Sequence, residues 1–167
     1  MSNILLATPI PPDGRLQAWT HVIVGGLTVQ LQTRWKATSD PKSPWTTPWA
    51  PFVPDPVAGG ATLPFIDMTA GVLSDGRTQI WGVDSSGAGV VYTSWKVSTA
   101  HDSLWTGWSV FNTTSITGDT PIGIAAAALP DKRLQLFIIG LPTALKVWTA
   151  WKTTTDPKSP WTDFTIL

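Results

Sequence analysis

The sequence lacks two residue types entirely. It contains no cysteine and no glutamate, so all of its 11 acidic residues are aspartates. The absence of cysteine excludes disulfide bonds and thiolate metal sites. The two histidines, His21 and His101, stand in unrelated contexts, and neither has a further ligand at metal-binding spacing. The sequence therefore predicts no metal and no cofactor.

Net charge and long apolar runs are missing as well. Eleven Lys and Arg residues balance the 11 aspartates, so no basic face and no nucleic-acid partner are predicted. No stretch approaches the roughly 20 apolar residues of a membrane-spanning helix, so no membrane insertion is predicted. Residues 1–9 have no basic region and too short an apolar run for a signal peptide. We expect synthesis in the cytoplasm, with any export by a leaderless route.

The sequence also lacks the patterns of common catalytic sites. There is no Gly-x-Ser-x-Gly segment and no phosphate-binding glycine loop. A catalytic carboxylate pair would have to be two aspartates, and no such pair stands out from the repeated ones. The prediction is a binding protein that is not an enzyme, with no catalytic residues.

What the chain does contain is a threefold repeat rich in tryptophan. It has 11 Trp against one Tyr, and Trp-Lys pairs begin at Trp35, Trp95 and Trp151, which are 60 and 56 residues apart. A fixed period of this length is typical of repeat architectures. The prediction is one domain, residues 1–167, made of three repeats. These repeats span about 4–53, 62–112 and 121–167, with linkers at 54–60 and 113–121.

Each repeat reads as four short β-strands. The 14 Gly, 15 Pro and abundant Thr and Val favour strands and tight turns over helices. An Asp-Gly pair, the strongest short hairpin signal, lies between the first two strands of repeats one and two. In the third repeat the strands are predicted at 122–128, 133–139, 144–153 and 161–167. The fold class is therefore all-β, with a four-stranded antiparallel meander in each repeat.

These residues resemble a known family. The run Asp-Gly-Arg-Leu-Gln before an aromatic, then Trp-Lys, then Asp-Pro-x-Ser-x-Trp-Thr and a closing aromatic is similar to the blades of bacterial and fungal β-propeller lectins. The nearest types are those of Photorhabdus and of the mushroom Psathyrella, with tachylectin-like proteins further away. The resemblance covers nearly the whole chain and implies a β-propeller that binds glycans at several equivalent sites. The fucose site of six-bladed propellers uses a glutamate, so it cannot be transferred to this chain.

Three blades are too few for a closed ring. Propellers have about 4 to 8 blades, and an open arc of three would expose two apolar faces. We therefore expect self-association into a two-fold homodimer with six blades. Three four-stranded repeats are also the count of a β-trefoil, and Gln17-Ala18-Trp19 and Gln79-Ile80-Trp81 match the Gln-x-Trp triplet of some trefoil lectins. That architecture stays open as the alternative.

Carbohydrate binding requires flat rings that stack on a sugar and planar groups that hydrogen-bond to its hydroxyls. Repeated Trp, Arg and Gln residues meet that description, although the same rings could fill gaps between blades and the same polar groups could bond to a neighbouring blade. The candidates are Trp45, Trp105 and Trp161 after the polar loop, Trp35, Trp95 and Trp151 before lysine, Arg15, Arg77 and Arg133, and Gln17, Gln79 and Gln135. The repeated aspartates are predicted to form turns. The alternative function is a propeller scaffold for protein interactions without sugar binding.

Overall fold

The computed structural model describes residues 4–10, 13–24, 28–46, 48–52, 64–100, 102–141 and 145–167. Within these residues all regular structure is β, and the predicted all-β class is confirmed. No helix occurs among them, so none is long and apolar enough to cross a membrane. The strands are β1 (Ile4–Ile10), β2 (Arg15–Val24), β3 (Thr28–Trp35), β4 (Ala50–Pro51), β5 (Phe65–Val72), β6 (Thr78–Asp84), β7 (Val91–Trp95), β8 (Ser109–Val110), β9 (Thr120–Ala128), β10 (Leu134–Leu141), β11 (Lys146–Trp151) and β12 (Thr165–Ile166).

The strands form three separate four-stranded sheets, one in each repeat. The strand orders are β1-β2-β3-β4, β5-β6-β7-β8 and β9-β10-β11-β12, so neighbours in sequence are neighbours in the sheet. All of these pairings are antiparallel. Each repeat is thus a meander closed by its own hairpins.

A left-handed residue makes the turn between the first two strands of every sheet. Gly14 and Gly76 have φ angles of 72° and 85°, which glycine adopts without steric cost. In the third repeat the same place is taken by Lys132, with a φ of 69°. The Asp-Gly turns predicted from the sequence are therefore present, and the third repeat makes the same turn with a less suitable residue.

Several predicted strand bounds of the third repeat differ from the structure. The second strand, predicted at 133–139, is Leu134–Leu141, and the third, predicted to end at 153, ends at Trp151. The fourth strand of the third repeat, predicted over 161–167, is only Thr165–Ile166, because Trp161 pairs with Lys152 in an isolated bridge and the chain leaves the sheet between them. The first strand begins at Thr120, inside the predicted linker. The linker at 54–60 lies outside the described residues, and so does residue 144, where the third strand was predicted to begin.

The first strands of successive sheets lie against one another. β1 contacts β5, and β5 contacts β9. Asp67 on β5 accepts a hydrogen bond from the Ile124 amide on β9 at 2.8 Å, and Thr69 Oγ1 accepts one from Ala126 at 3.0 Å. The neutral nitrogen Nε2 of His21 accepts a hydrogen bond from the Phe65 amide at 3.2 Å, and burial lowers the pKa of His21. The β5 backbone therefore sits between its two neighbours.

The apolar core lies between neighbouring sheets. Trp19 of the first sheet packs with Phe65 and Ile80 of the second, and Trp81 of the second packs with Leu134 and Ile138 of the third. All six side chains are buried. Because burial occurs at the two junctions, each sheet depends on its neighbour for stability.

Candidate functional site

A lysine holds the polar loop that follows the third strand in each repeat; it is buried in the second and third repeats and half-buried in the first. In the third repeat Lys152 Nζ donates to the carbonyls of Pro157 at 2.7 Å and Ser159 at 3.2 Å. Lys36 and Lys96 do the same in their own repeats, with acceptors at Pro41, Ser43 and Ala100. A charged amine that donates to backbone carbonyls ties the loop to the end of the third strand.

The loop aspartates form turns, as predicted. Asp156 Oδ1 accepts a hydrogen bond from the Lys158 amide at 2.8 Å, and Asp40 accepts one from the Lys42 amide at 2.7 Å. These are the short side-chain-to-backbone bonds that make aspartate common in turns. The carboxylates therefore shape the loop.

The tryptophan at the end of each loop packs against the preceding repeat. Trp105 meets Trp19 and Phe52 of the first repeat edge-on, with ring centroids 6.0 and 5.4 Å apart. Trp161 meets Trp81 and Phe111 of the second repeat at 5.9 and 5.5 Å in the same way. Perpendicular pairs at this spacing are favourable aromatic contacts. Trp105 and Trp161 thus join neighbouring sheets.

Trp45, the matching residue of the first repeat, has a different neighbour. The guanidinium carbon of Arg34 lies 5.0 Å from the Trp45 ring and 4.4 Å from the Trp49 ring, so the cation sits between two tryptophans. The other repeats have buried Ser94 and Ala150 at the position of Arg34.

The tryptophans before lysine differ from Trp105 and Trp161 in their contacts, because among the described residues they make no aromatic pair with another repeat. Trp35 is 36% exposed, and Trp95 and Trp151 are half-buried. Trp35 and Trp95 line clefts between sheets. Trp35 is therefore the most exposed ring of the two predicted sets, and Trp95 lies at the wall of the larger cleft.

The three predicted arginines each bind the aspartate of the preceding turn. Arg15, Arg77 and Arg133 donate from Nε to Asp13, Asp75 and Asp131 at 2.7, 2.7 and 2.6 Å. Hydrogen bonds from Arg133, first its backbone amide and then its side chain, lower the pKa of Asp131. Each guanidinium is therefore oriented by its own hairpin.

The three predicted glutamines each bind a threonine on the next strand. Gln79 Nε2 donates to Thr93 Oγ1 at 2.9 Å, and Thr93 in turn donates to the Ile80 carbonyl at 2.9 Å. Gln17 with Thr33 and Gln135 with Thr149 repeat the arrangement. Sequence reasoning missed these threonines, although the pattern Thr-x-Trp-Lys recurs in all repeats and marked them.

A first cleft lies between the first and second sheets. Its volume is about 160 Å³. The first repeat contributes Gln17, Thr33, Trp35, Pro51 and Phe52, and the second repeat contributes Asp102, Ser103, Leu104 and Trp105.

A second cleft, of about 310 Å³, lies between the second and third sheets. It is lined by Leu73, Arg77, Gln79 and Trp95 of the second repeat and by Lys152, Pro157 and Lys158 of the third. Ligand clefts usually measure about 300–1,000 Å³, so the volume of this second cleft lies within that range and the volume of the first lies below it. Both clefts use the Gln and Trp of one sheet and the polar loop of the next.

Charged groups also meet across each junction. Burial lowers the pKa of Lys96 to about 8, while Asp102 in its own loop and Asp13 in the first repeat act in the opposite direction. Burial likewise lowers the pKa of Lys152, and Asp156 and Asp75 oppose this effect. The Asp-Arg turn of one repeat therefore lies beside the buried lysine of the next.

Within the part of the chain that the structure describes, no three His or Asp residues form a group that could hold a metal ion. No protein-family model matches the sequence, and no curated protein matches it. The case for a function therefore rests on the clefts themselves.

Proposed function

We propose that the protein is a multivalent carbohydrate-binding lectin that binds glycans in the clefts between neighbouring sheets, without catalysis. The observation that carries this proposal is the repeated cleft in which an accessible tryptophan faces a polar loop of the next repeat. Trp35 and Trp95 are the two such rings within one chain.

The chemistry of the second cleft supports a sugar ligand. The Trp95 ring offers a flat apolar surface for the C–H face of a sugar ring. Arg77, Gln79 and Lys158 line the same space and supply hydrogen-bond donors for hydroxyls. A shallow cleft that competes with water gives weak single-site affinity, and repetition raises the avidity by a factor of about 10² to 10⁴ when several sugars are displayed together.

The proposed architecture is a β-propeller with three blades per chain and six in a homodimer. Three observations support it over a β-trefoil: each sheet is a meander of four strands, the described strand pairings stay within one repeat, and the first strands of successive sheets adjoin. A β-propeller consists of such four-stranded sheets arranged around a central axis.

A protein-interaction scaffold is the second candidate. It is favoured by the internal bonds of the predicted polar residues, since each arginine binds its own turn and each glutamine binds its own threonine. In a scaffold these bonds would be purely structural, and no free sugar would compete with the partner.

A glycan array followed by competition with free sugars tests the proposal. We expect array signals that the matching free sugar abolishes and that the double variant Trp35→Ala, Trp95→Ala strongly weakens. The matched control, Trp35→Phe with Trp95→Phe, keeps a flat ring in each cleft and should retain most of the binding. Equal binding by the Ala and Phe variants, or no glycan signal at high density, would favour the scaffold.

A further inference from the structure

The third repeat presents a face that its two counterparts keep covered. Trp19 and Trp81 are fully buried by the next repeat, whereas Phe137, at the same position, is only half-buried. Arg133 is 29% exposed, against 17% for Arg15 and 21% for Arg77. This face therefore has the residues of a junction without a neighbouring sheet.

The hydrophobic edge of that face is also exposed. The backbone amides of Phe52, Phe111 and Leu167 make the same hydrogen bond to the third strand of their own sheets. Phe52 and Phe111 pack against the next repeat's tryptophan, while Leu167 is 77% exposed. An exposed leucine thus occupies the place where the other sheets bury a phenylalanine.

The first repeat presents the complementary face. Lys36 is half-buried, whereas Lys96 and Lys152 are 1% and 4% exposed beneath the turn of a preceding repeat. Trp45 ends the loop of this repeat as Trp105 and Trp161 end theirs. The first repeat therefore has the loop, lysine and tryptophan that form a junction in the other two repeats.

The loop on this first face has the chemistry of the second cleft. Residues 40–46 and 156–162 share one sequence, Asp-Pro-Lys-Ser-Pro-Trp-Thr. In the third repeat this loop brings Pro157 and Lys158 to the second cleft. Pro41 and Lys42 stand at the matching positions of the first loop.

We propose that the two outer faces are halves of a third cleft, which a second copy of the chain completes. Arg133, Gln135 and Trp151 of one copy form one wall, and Pro41 and Lys42 of the other copy form the opposite wall. Trp45 then packs on Phe137 and Leu167, as Trp161 packs on Trp81 and Phe111 within the chain. Two-fold symmetry makes two identical junctions of this kind. The ligand role of this cleft rests on the proposed function, and the interface does not.

A cysteine pair tests the interface against a background free of native thiols. Within the chain Ser74 Oγ donates to the carbonyl of Thr155 across the second junction. The matching positions at the outer faces are Pro130 and Ser39. We expect the double variant Pro130→Cys, Ser39→Cys to form a covalent dimer on mild oxidation.

The matched control is Ser74→Cys with Thr155→Cys, which should form a disulfide inside one chain. If the control disulfide forms while the cysteines of Pro130→Cys, Ser39→Cys stay reduced, the proposal is overturned. A ladder of longer covalent chains would overturn the closed dimer.

A surface variant tests the same interface without cysteines. Leu167→Asp places a charge on the exposed third face, and we expect it to weaken self-association at least tenfold in sedimentation equilibrium. Val110→Asp is the matched control, because Val110 is 67% exposed on the outer strand of the middle sheet. Equal association of the two variants would contradict the proposed face.

Binding to immobilised gastric mucin tests the cleft. The variant Trp35→Ala, Trp95→Ala has both internal clefts disabled, and we expect residual mucin binding that Leu167→Asp or Trp151→Ala removes. Wild-type binding that disappears fully in the double variant would overturn the third cleft and leave the proposed function standing. Absence of mucin and glycan-array binding by the wild type would instead contradict the proposed function and the ligand role of this cleft, and the cysteine pair would then decide the interface alone.

Discussion

Trp35 and Trp105 line the same cleft, and the structure predicts a small loss of stability when Trp35 is changed to alanine and a large one when Trp105 is. Trp105 packs edge-on against two rings of the preceding repeat, and Trp35 is 36% exposed. The two substitutions remove the same atoms. Any difference in their effect on stability therefore reports the packing of the two rings.

The size of the difference follows from the contacts of Trp105. Each perpendicular aromatic pair contributes about 0.5–1.5 kcal/mol beyond its buried area, so the contacts with Trp19 and Phe52 together contribute about 1–3 kcal/mol. Loss of buried surface adds to this, and Trp→Ala changes in cores cost about 3–5 kcal/mol. Since Trp105 is only half-buried, we expect a loss near the lower end, about 3 kcal/mol. For Trp35→Ala we expect a loss of less than about 1 kcal/mol.

Urea unfolding followed by far-UV circular dichroism measures both free energies of unfolding. All chains should be compared at one concentration, because association stabilises the folded state. A loss for Trp35→Ala that equals the loss for Trp105→Ala would refute the assignment of one ring to packing and the other to the open cleft. Trp105→Phe should recover part of the stability, since it keeps a ring between the sheets.

Three further predictions concern single residues. Thr93→Val should lower the free energy of unfolding by about 1–3 kcal/mol in urea titrations, because it leaves the buried Gln79 amide without its acceptor; a change below about 0.5 kcal/mol would mean that the bond has little net value. Burial lowers the pKa of Lys96 to about 8, so the unfolded chain binds more protons above that pH. Stability relative to Lys96→Met should therefore rise between pH 8 and the ordinary lysine pKa, by at most about 1.4 kcal/mol per pH unit, and a flat difference across that range would contradict the lowered pKa. Lys132→Gly should raise the thermal midpoint by relieving a left-handed residue, a gain of up to about 1 kcal/mol, whereas a lower midpoint would show that the Lys132 side chain matters more than its backbone strain.

The sheets were predictable from sequence because their signals are local. The Asp-Gly turns before Arg15 and Arg77 mark the hairpins, and β10 overlaps the strand predicted at 133–139. The regular spacing of the Trp-Lys pairs indicated that the chain contains three equivalent sheets. Short outer strands were not predictable, because Trp161 reads like a strand residue and leaves the sheet after one bridge.

The roles of the two tryptophan sets could not be derived from sequence. Both sets have polar neighbours in the chain, and their difference arises from a contact with residues in another repeat. Trp105, for example, meets Trp19, which lies in the preceding repeat. Arg34 was overlooked for the opposite reason: its position is not repeated, since the other repeats have Ser94 and Ala150 there. Only its contacts with the Trp45 and Trp49 rings show what it does.

In the loop held by the lysine, the residues that fix the backbone conformation are different from those that face the neighbouring cleft. The side chains of Lys152, Asp156 and Ser159 bond to backbone groups of the loop and fix its path. Pro157 and Lys158, which line the second cleft, use no side-chain bond for this. The second repeat illustrates the point, because Leu104 replaces proline there and the loop still closes on its lysine. Side chains that face a neighbour's cleft are thus free to vary without refolding the loop. Under the proposed function, grafting the loop of the second repeat into the third would change the ligand preference of the second junction while the sheets stay the same.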